Sequence, residues 1–441
     1  MNYKISVIGC GYVGLSLSVV CAKRGIVVYG VDNDIKKIDN LKRGIPPFYE
    51  PNLKRDLKDA RKNLIFTTDL AKAVLNSTII FVTVGTPQNS NGEINLTYIN
   101  EACKQIGSAL IKSNEEKIIV IKSTVVPGTT NSLSSIVESN SMSKMGKSIF
   151  IATNPEFLRE GRSIYDTENP HLIVIGSKFE KARKILTSFY KDLYKKKIPK
   201  IIYCNESTAE VIKYSNNAFL ATKISFINSI ANLCQKIPGA DINLVAEAIG
   251  EDKRIGKEFL NAGPGFGGSC LPKDVSAFLS YGEKIGVPLS VLSAVNEVNE
   301  NQSKEIIEFA KDILQTIKNK KISILGLAFK KDTDDIRNAV SLKVIEHLLR
   351  LGAKIVVHDP MAIIKVRDIF GQKISYANSI RDCLHNSDLS IILTEWDEYK
   401  NLKPVDFLKS MRKPNVIDAR RIFEPDEFKK DLNFHAIGLG P

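Results

Sequence analysis

A glycine pattern near the amino terminus constrains the fold more than any other feature of the chain. Tyr3 to Ile8 is a short run rich in β-formers, and the next residues are Gly9-Cys10-Gly11-Tyr12-Val13-Gly14. They open an apolar helical stretch ending near Gly25, and Ile26 to Val31 has the composition of a second strand. Such glycines permit a tight turn and the approach of a pyrophosphate to a helix N-terminus, where unpaired N–H groups favour negative charge. The order strand, glycines, helix and strand predicts a βαβ unit of a doubly wound sheet.

An acidic residue follows the second predicted strand. The Asp32 carboxylate is placed where it can bind the ribose hydroxyls of NAD, and it would repel the 2′-phosphate of NADP. We therefore expect NAD as the cofactor. A plain βαβ unit that binds no nucleotide is the alternative interpretation.

The alternation of strands and helices continues beyond this unit. The runs Thr78 to Val84, Lys117 to Lys122 and Ser148 to Thr153 have buried-strand patterns. Ligands of open parallel sheets bind beyond the carboxyl ends of strands, so the residues after these runs are candidate contacts or else ordinary helix caps. They are Gly85, Thr86, Pro87, Ser123, Thr124, Glu156 and Glu160. The two glutamates can position or activate water beside the cofactor.

Two long helices are predicted in the middle of the chain. The first covers Ser207 to Ile237, with Ser207 as its cap and Glu210 completing a capping box, and the second covers Ser290 to Ile317. Lys213 and Asn217 share one face of the first helix. An ammonium beside an amide can stabilise a developing oxyanion, although a solvent-facing pair has the same spacing. Together the helices predict a central linker and a dimerisation surface.

A cysteine ends the most glycine-rich loop of the chain, Asn261 to Asp274. Glycine lets a backbone approach a ligand closely, so this loop can wrap a polar substrate around Cys270. Lys273 and Asp274 can stabilise a thiolate or handle protons. A tight turn with a buried, inert cysteine is the alternative.

The third region repeats the α/β pattern without the glycine fingerprint. Strands are predicted at Lys321 to Leu327, Lys354 to His358, Leu389 to Leu393 and near Val416, with a helix from Ser341 to Leu351. Lys330, Arg337 and Arg420 are candidate phosphate partners there. The expected fold is α/β, with two Rossmann-like doubly wound domains joined by a long central helix. The predicted boundaries are 1–200 for the NAD-binding domain, 201–305 for the helical domain with the cysteine loop, and 306–441 for the second Rossmann-like domain.

Composition limits the possible partners. The 441 residues carry a net charge of +13, which favours anionic ligands, but no zinc-finger spacing or aromatic-interleaved basic patch indicates nucleic acid. Seven scattered cysteines are typical of reduced thiols in a cytoplasmic protein. The five histidines form no metal-binding array, so we predict no metal site, and no segment has the length of a transmembrane helix.

Taken together, these motifs resemble those of the nucleotide-sugar 6-dehydrogenases, most closely the UDP-glucose 6-dehydrogenases. Over nearly its whole length the chain carries, in order, VIGCGYVG, VGTP, STVVPGTT, NPEFLREG, the helix with Lys213 and Asn217, GFGGSCLPKD and FKKDTDDIR. The central helices predict a homodimer, and the resemblance implies that it oxidises UDP-glucose to UDP-glucuronate with NAD, for polysaccharide biosynthesis. In that reaction the C6 alcohol loses a hydride and the aldehyde is trapped by a cysteine as a thiohemiacetal. Loss of a second hydride gives a thioester, which is hydrolysed.

The resemblance also implies roles for individual residues. Cys270 is the implied nucleophile, Lys213 and Asn217 stabilise the oxyanion, and water and protons are handled by Asp274, Thr124 and Glu156. The implied cofactor contacts are Gly9, Gly11, Tyr12, Val13, Gly14, Asp32, Lys37, Gly85, Thr86, Pro87, Thr124, Glu160, Lys273 and Arg337. The implied substrate contacts are Glu156, Phe157, Leu158, Arg159, Glu160, Lys213, Asn217, Arg254, Phe259, Asn261, Gly265, Phe266, Gly267, Phe329, Lys330 and Arg420.

Other activities remain open at this point. GDP-mannose dehydrogenases share the LRE and GGSCLPKD elements, whereas UDP-N-acetylhexosamine enzymes tend to carry a different stretch after NPE and a histidine before the cysteine. Asn261 stands where several UDP-glucose enzymes have a longer basic residue. A two-electron β-hydroxyacid dehydrogenase needs neither Cys270 nor the third region, and a dinucleotide sensor would turn over nothing. The yield of NADH per substrate separates these classes.

Overall fold

The computed structural model describes residues 3–195 and 197–441 and divides into two compact units, 1–216 and 217–441. Each unit holds one sheet covered by helices on its faces, so the predicted α/β class with two Rossmann-like sheets is confirmed. The finer division at residues 200 and 305 stays a prediction.

The described residues of the first unit form an eight-stranded sheet. Its strands are β1 (Lys4–Ile8), β2 (Val27–Val31), β3 (Leu64–Thr67), β4 (Ile79–Val82), β5 (Lys117–Ile121), β6 (Ile149–Thr153), β7 (Leu172–Gly176) and β8 (Lys200–Cys204). Its helices are α1 (Tyr12–Lys23), α2 (Ile35–Lys42), α3 (Leu53–Ala60), α4 (Leu70–Leu75), α5 (Thr97–Leu110), α6 (Thr129–Ser141), α7 (Ser163–Glu168) and α8 (Glu180–Leu193). The strand order is β3-β2-β1-β4-β5-β6-β7-β8, parallel throughout except between β6 and β7.

The central strands of this sheet are apolar along their whole length because both of their faces are covered. In β4, Ile79 and Phe81 belong to one buried cluster, which also holds Leu15 of α1. The alternate residues Ile80 and Val82 belong to a second cluster, with α5 and α6. Successive strand side chains point to opposite faces, so a continuous apolar run serves two layers of helices.

The described residues of the second unit form a six-stranded sheet. Its strands are β9 (Lys321–Leu325), β10 (Lys354–His358), β11 (Ser375–Tyr376), β12 (Leu389–Ile392), β13 (Asn415–Asp418) and β14 (Asn433–Ala436), in the parallel order β11-β10-β9-β12-β13-β14. Its helices are α10 (Ile242–Gly250), α11 (Leu271–Lys284), α12 (Ser290–Leu314), α13 (Val340–Arg350), α14 (Ile363–Phe370), α15 (Ile380–Leu384), α16 (Asp397–Lys400), α17 (Pro404–Ser410) and α18 (Pro425–Phe428). A short 3-10 turn lies at Gly371–Lys373, and another lies in the first unit at Arg61–Asn63.

A 29-residue helix, α9 (Glu206–Cys234), carries residues of both units. The predicted helix is confirmed, but the predicted capping box is wrong. The cap is Asn205, whose Oδ1 accepts the N–H of Thr208 at 2.8 Å. Because the helix starts earlier than predicted, Glu210 lies beyond the first turn, and its carboxylate accepts the N–H groups of Gly128 at 2.6 Å and Thr130 at 2.8 Å. Within residues 3–195 and 197–441, every helix is too short or too polar to span a membrane.

Candidate active site

The loop after β1 has the geometry of a dinucleotide cradle. Gly9 has a φ of +104° and donates its N–H to the carbonyl of Val31 at 2.7 Å, so the chain turns between two strand ends. A Cβ at Gly14 would lie 1.9 Å from the carbonyl oxygen of Gly9, whereas a Cβ at Gly11 would meet no atom within 4 Å. Gly11, the residue before α1, has no side chain to cap the helix, and there is open space beside it. These residues fit a pyrophosphate.

The Asp32 carboxylate is held beside this loop, at the end of β2. Its Oδ2 accepts the N–H of Cys10 at 2.9 Å and the Nζ of Lys37 at 2.9 Å, and its Oδ1 accepts the N–H of Asp34 at 3.1 Å. The carboxylate is thereby oriented by backbone donors while the residue remains partly exposed. This arrangement suits the hydroxyls of a ribose.

The loops that follow β4 and β5 are fastened together. The hydroxyl of Thr86 donates to the carbonyl of Thr124 at 2.8 Å, and the hydroxyl of Ser123 donates to the carbonyl of Val84 at 2.7 Å. Gly85 and Pro87 are exposed between them. The predicted contacts of these two loops therefore lie together at the carboxyl edge of the first sheet.

A buried ion pair joins the segment after β6 to α9. Glu156 Oε1 lies 2.9 Å from Lys213 Nζ, and the two side chains are 7% and 4% exposed. Burial opposes ionisation of Glu156, but the charge of Lys213 and the N–H of Leu158 outweigh it and lower the pKa of the carboxyl. The Lys213 ammonium also lies 5.5 Å from the ring centre of Phe157. The structure thus brings together three predicted substrate contacts, Glu156, Phe157 and Lys213.

Lys122 was not among the predicted site residues, although it lies near this pair. Its Nζ donates to Asn154 Oδ1 at 3.0 Å, and Asn154 Nδ2 donates to the carbonyl of Val174 at 2.7 Å. Burial lowers the pKa of Lys122 to about 8, against the attraction of Glu156. The sequence signal is a lysine that directly follows the apolar strand β5.

In the second unit, the cysteine loop and α9 meet at Asp274. Asn217 Nδ2 donates to Asp274 Oδ2 at 2.6 Å, and Lys273 Nζ donates to Asp274 Oδ1 at 2.5 Å. Asp274 is 2% exposed and lies in the first turn of α11, and its N–H donates to the carbonyl of Cys270 at 2.9 Å. Cys270 directly precedes α11, is partly exposed, and has its Sγ 3.5 Å from the hydroxyl of Ser269. A thiol at a helix N-terminus is favoured as the thiolate.

The glycines of this loop allow close packing against the segment after β9. The N–H of Gly268 donates to the carbonyl of Arg337 at 2.8 Å, and a Cβ at Gly268 would lie 2.8 Å from the ring of Phe329. A Cβ at Gly267 would lie 2.5 Å from the carbonyl oxygen of Asn338. Larger residues are excluded at both positions, so the loop lies directly on Phe329.

Arg420 connects the same segment to the end of β13. Its guanidinium donates to the carbonyls of Phe329 and Leu393, each at 2.7 Å, and its Nε lies 3.3 Å from Glu395. The Nζ of Lys330 lies 5.8 Å from the ring centre of Phe329. Three predicted substrate contacts, Phe329, Lys330 and Arg420, are therefore adjacent.

Other predicted contacts lie on the surface. Arg254 is exposed and its guanidinium binds Asp252, with contacts of 3.0 and 2.6 Å. Arg159 binds Asp166 at 2.9 and 2.8 Å, and Arg337 binds Asp335 at 2.9 and 2.6 Å. Asn261 is exposed and Phe259 has a φ of +65°. Each arginine is oriented by a nearby carboxylate.

Three family models match the chain in succession. They describe the NAD binding domain, the central domain and the UDP binding domain of the UDP-glucose/GDP-mannose dehydrogenase family, and they match residues 3–194, 207–301 and 323–425. The models cover most of the chain.

Individual proteins resemble the chain over its full length. It is 42% identical to the UDP-glucose 6-dehydrogenase TuaD of Bacillus subtilis (strain 168), over 99% of the chain and 93% of that relative. A UDP-glucose dehydrogenase from Pyrobaculum islandicum has a similar structure, with a TM-score of 0.92, 35% identity and coverage of 100% and 98% of the two chains. A UDP-D-ManNAc dehydrogenase from Pyrococcus horikoshii matches with a TM-score of 0.87, 25% identity and 99% coverage of both chains.

Proposed function

Because the chain belongs to the UDP-glucose/GDP-mannose dehydrogenase family, we propose that it oxidises the C6 alcohol of UDP-glucose to the carboxylate of UDP-glucuronate. The observation that carries this proposal is the cluster of Cys270, Asp274 and Asn217 at the start of α11. A thiol is the group that a four-electron oxidation needs in order to hold the aldehyde between its two steps. The product is a precursor for polysaccharide biosynthesis.

The first unit supplies the cofactor site. NAD, when bound, accepts one hydride in each of the two oxidations. The glycine loop after β1 and the start of α1 would hold its pyrophosphate, and Asp32 would hold the adenosine ribose. The joined loops at Thr86 and Thr124 would lie along the remaining part of the NAD molecule.

The residues proposed to act on the C6 carbon lie on α9 and directly before α11. In the proposed sequence the C6 aldehyde carbon is attacked by Cys270 Sγ, and the resulting oxyanion is stabilised by the Lys213 ammonium and the Asn217 amide. Loss of the second hydride converts the thiohemiacetal into a thioester. Water then adds to the thioester carbon, the C–S bond breaks, and the thiol is regenerated.

A carboxylate is needed to take protons from the alcohol and from the attacking water. Asp274 is oriented by Asn217 and Lys273, and the carbonyl of Cys270 accepts its backbone N–H. Glu156 is ionised because the charge of Lys213 overcomes its burial and lowers its pKa. We propose that Asp274 and Glu156, with the hydroxyl of Thr124, orient the water and accept its protons.

The nucleotide is assigned to the group formed by Phe329, Lys330 and Arg420. Two cations beside an aromatic ring suit a pyrophosphate that carries a base. The identity to TuaD supports UDP-glucose, whereas the similarity to a UDP-D-ManNAc dehydrogenase keeps UDP-N-acetylhexosamines as the second candidates. GDP-mannose is a third candidate, because the family includes enzymes for it.

The substrate and the reaction are tested by one assay. Purified protein is incubated with NAD and, separately, with UDP-glucose, GDP-mannose, UDP-N-acetylglucosamine and UDP-N-acetylmannosamine, and NADH is followed by absorbance. We expect the highest kcat/KM with UDP-glucose and two NADH per sugar consumed. One NADH per sugar would contradict the thiol mechanism, and a preference for another sugar would change the substrate.

The thiol itself is tested by Cys270→Ser. Steady-state NADH formation should fall by about 10³-fold or more, because the loss of a covalent nucleophile is among the largest effects of single substitutions in enzymes. Binding of NAD should stay within about twofold of wild type, since Cys270 is not among the implied cofactor contacts. Wild-type turnover in this variant would remove the covalent step.

We also propose a homodimer that associates through α9. Phe219, Phe226 and Leu233 are exposed and spaced by seven residues, so they form one apolar stripe along the helix. Such a stripe suits a second copy of the same helix. Phe226→Glu should convert a dimer into a monomer in sedimentation velocity, whereas Ile364→Glu, at an exposed position on α14, should not. A wild-type monomer would exclude the dimer.

A cytoplasmic location is proposed as well. Cys10, Cys21 and Cys103 are buried and form no disulfide bond, as expected in a reducing compartment.

A further inference from the structure

The segment that leads to Cys270 is held by a side-chain amide of α12. Asn299 Oδ1 accepts the N–H of Phe266 at 2.7 Å, and Asn299 Nδ2 donates to the carbonyl of Phe266 at 3.1 Å. One side chain therefore bonds both polar backbone groups of a single residue. A neighbouring strand would bond the residue in the same way.

Two further amides hold Gly263 in the same manner. Its N–H donates to Asn228 Oδ1 on α9 at 2.9 Å, and its carbonyl accepts Gln302 Nε2 on α12 at 3.0 Å. Gln302 Oε1 in turn accepts Asn232 Nδ2 on α9 at 2.9 Å. The bonds at Gly263 and those at Phe266 together form the amide network that holds the loop, and the loop backbone joins the two sets.

The network is enclosed by the protein. Asn228 and Gln302 are 0% exposed and Asn299 is 7% exposed. Burying an amide is unfavourable unless its hydrogen bonds are made. The bonds to Gly263 and Phe266 are made, whereas Asn228 Nδ2 and Asn232 Oδ1 are buried without a hydrogen-bond partner among the described residues. Gly265 lies between the two bonded residues with a φ of +108°, and a Cβ there would lie 2.7 Å from Asn299 Oδ1.

We propose that Asn228, Asn299 and Gln302 are positioning residues that hold the sulfur of Cys270 in its reactive position. We call them the amide clamp. The inference rests on the proposed role of Cys270 and adds the means by which its loop is fixed. Four of the six residues from Gly263 to Gly268 are glycines, and such a chain has many accessible conformations unless other groups restrict it. A misplacement of about 1 Å between reacting atoms is enough to lower a rate about 100-fold.

The alternative is that these amides stabilise the fold and have no influence on the thiol. The two interpretations predict different results when one hydrogen bond of the clamp is removed by a substitution that keeps the size of the side chain. Asn299→Asp keeps the acceptor for the N–H of Phe266 but replaces the donor to its carbonyl by an oxygen. Gln302→Glu makes the matching change at Gly263 and serves as the second variant if Asn299→Asp does not fold. Asn415→Asp is the matched control, because Asn415 is a buried amide of the same unit that donates to the carbonyl of Asp388 at 2.7 Å.

Two measurements on the full-length protein decide the question. Hydrogen–deuterium exchange is followed by mass spectrometry in peptides that cover residues 261–270, and kcat and KM are measured with NAD and UDP-glucose. We expect exchange in this segment to accelerate about tenfold in Asn299→Asp or Gln302→Glu, with exchange in β9 and β12 unchanged. We expect kcat to fall about tenfold or more while KM for NAD stays within about twofold, because a lost buried hydrogen bond changes a free energy by an amount of this order.

The control should show neither change in the loop. Unchanged exchange in residues 261–270 would overturn the clamp, and so would faster exchange with a kcat within about twofold of wild type. A fall in kcat accompanied by faster exchange throughout the unit would assign the amides to the fold alone.

Failure of the proposed function is distinguishable from failure of the clamp. If wild-type protein forms no NADH with any sugar of the panel, the proposed function fails. The positioning role is then decided by the rate at which iodoacetamide modifies Cys270, measured against Cys204 in the same sample. A ratio that changes at least about threefold in Asn299→Asp, and not in Asn415→Asp, supports the clamp. An unchanged ratio overturns it.

Discussion

The two sheets have the same strand order around their first strands but use the turn after that strand differently. Each is wound as third, second, first, fourth, fifth and sixth strand, in β3-β2-β1-β4-β5-β6 and β11-β10-β9-β12-β13-β14. Gly9 and Gly326 follow the first strands with φ values of +104° and +100°. A Cβ at Gly9 would clash with Thr83, which follows the adjacent strand β4. A Cβ at Gly326 would clash with Thr394, which follows the adjacent strand β12. The turn is therefore the same in both units.

The acid at the end of the second strand differs. Asp32 is partly exposed and accepts one N–H from the turn, that of Cys10. Asp359 is 3% exposed, and its two oxygens accept five hydrogen bonds. The donors are the backbone N–H groups of Leu327, Ala328, Met361 and Ala362 and the indole N–H of Trp396, at 2.7 to 3.1 Å. The acid at this position stabilises the fold in the second sheet, whereas in the first sheet it is the proposed contact to the ribose.

The difference explains why the second sheet has no glycine fingerprint. Helix α1 begins four residues after β1 ends, at Tyr12, whereas α13 begins fifteen residues after β9 ends, at Val340. The second turn therefore places no helix N-terminus directly beside the strand. The proposed recognition of an anion in this unit therefore relies on the side chains of Lys330 and Arg420.

The largest effect is expected at Asp359. Asp359→Ala should lower the free energy of unfolding by about 3–5 kcal/mol, because it leaves buried donors without an acceptor. Trp396 is the only tryptophan of the chain and contacts Asp359 at 3.1 Å, so urea unfolding followed by its fluorescence reports on this unit. NAD affinity should be unchanged under conditions where the variant is folded. A loss below about 1 kcal/mol would show that Asp359 is not a structural anchor.

A smaller effect is expected at Asp32, where the substitution should change NAD affinity and leave stability nearly unchanged. Asp32→Asn should weaken NAD binding about tenfold, which is the loss of one charged hydrogen bond, and should change unfolding by no more than about 1 kcal/mol. Isothermal titration with NAD and urea unfolding measure the two quantities. The contrast between the two acids fails if this variant loses stability and keeps its affinity for NAD.

The smallest effect concerns the charges buried at the ends of the fifth strands. In the first sheet this group is the partly buried Lys122, and in the second it is the buried Asp418, which accepts the N–H groups of Arg420 at 3.0 Å and Phe423 at 2.9 Å. Burial lowers the pKa of Lys122 from 10.5 to about 8, so between these values the unfolded chain binds more protons at this group. Its contribution to stability is therefore present above pH 10.5 and is lost as pH falls through 8.

The test compares wild type with Lys122→Met. Between pH 8 and pH 10, the wild-type free energy of unfolding should rise by about 1 kcal/mol relative to the variant, after allowance for solvent screening. Urea unfolding at both pH values measures the difference. Parallel curves for the two proteins would mean that Lys122 titrates as an ordinary surface lysine.

The parts of the molecule that sequence predicted are those determined by neighbouring residues. The glycine turn, Asp32, the central strands and the loop around Cys270 each lie in one short segment, and the two sheets follow from them. The missed features depend on distant partners: Lys122 bonds Asn154, and Asn299 bonds Phe266. Glu210 was predicted to cap its own helix and instead binds Gly128 and Thr130. Asp359 was visible in the sequence only as the residue that closes a strand.

The position of Cys270 directly before α11 also has a consequence for the protein in air. Burial raises the pKa of the Cys21, Cys103 and Cys383 thiols to about 12, so these sulfurs stay protonated and react slowly with oxidants. Cys270 is partly exposed, and peroxide converts an accessible thiolate first to a sulfenic acid. We therefore expect the proposed nucleophile to be oxidised before these three thiols, and preparations kept without a reducing agent should lose turnover reversibly before they lose their fold.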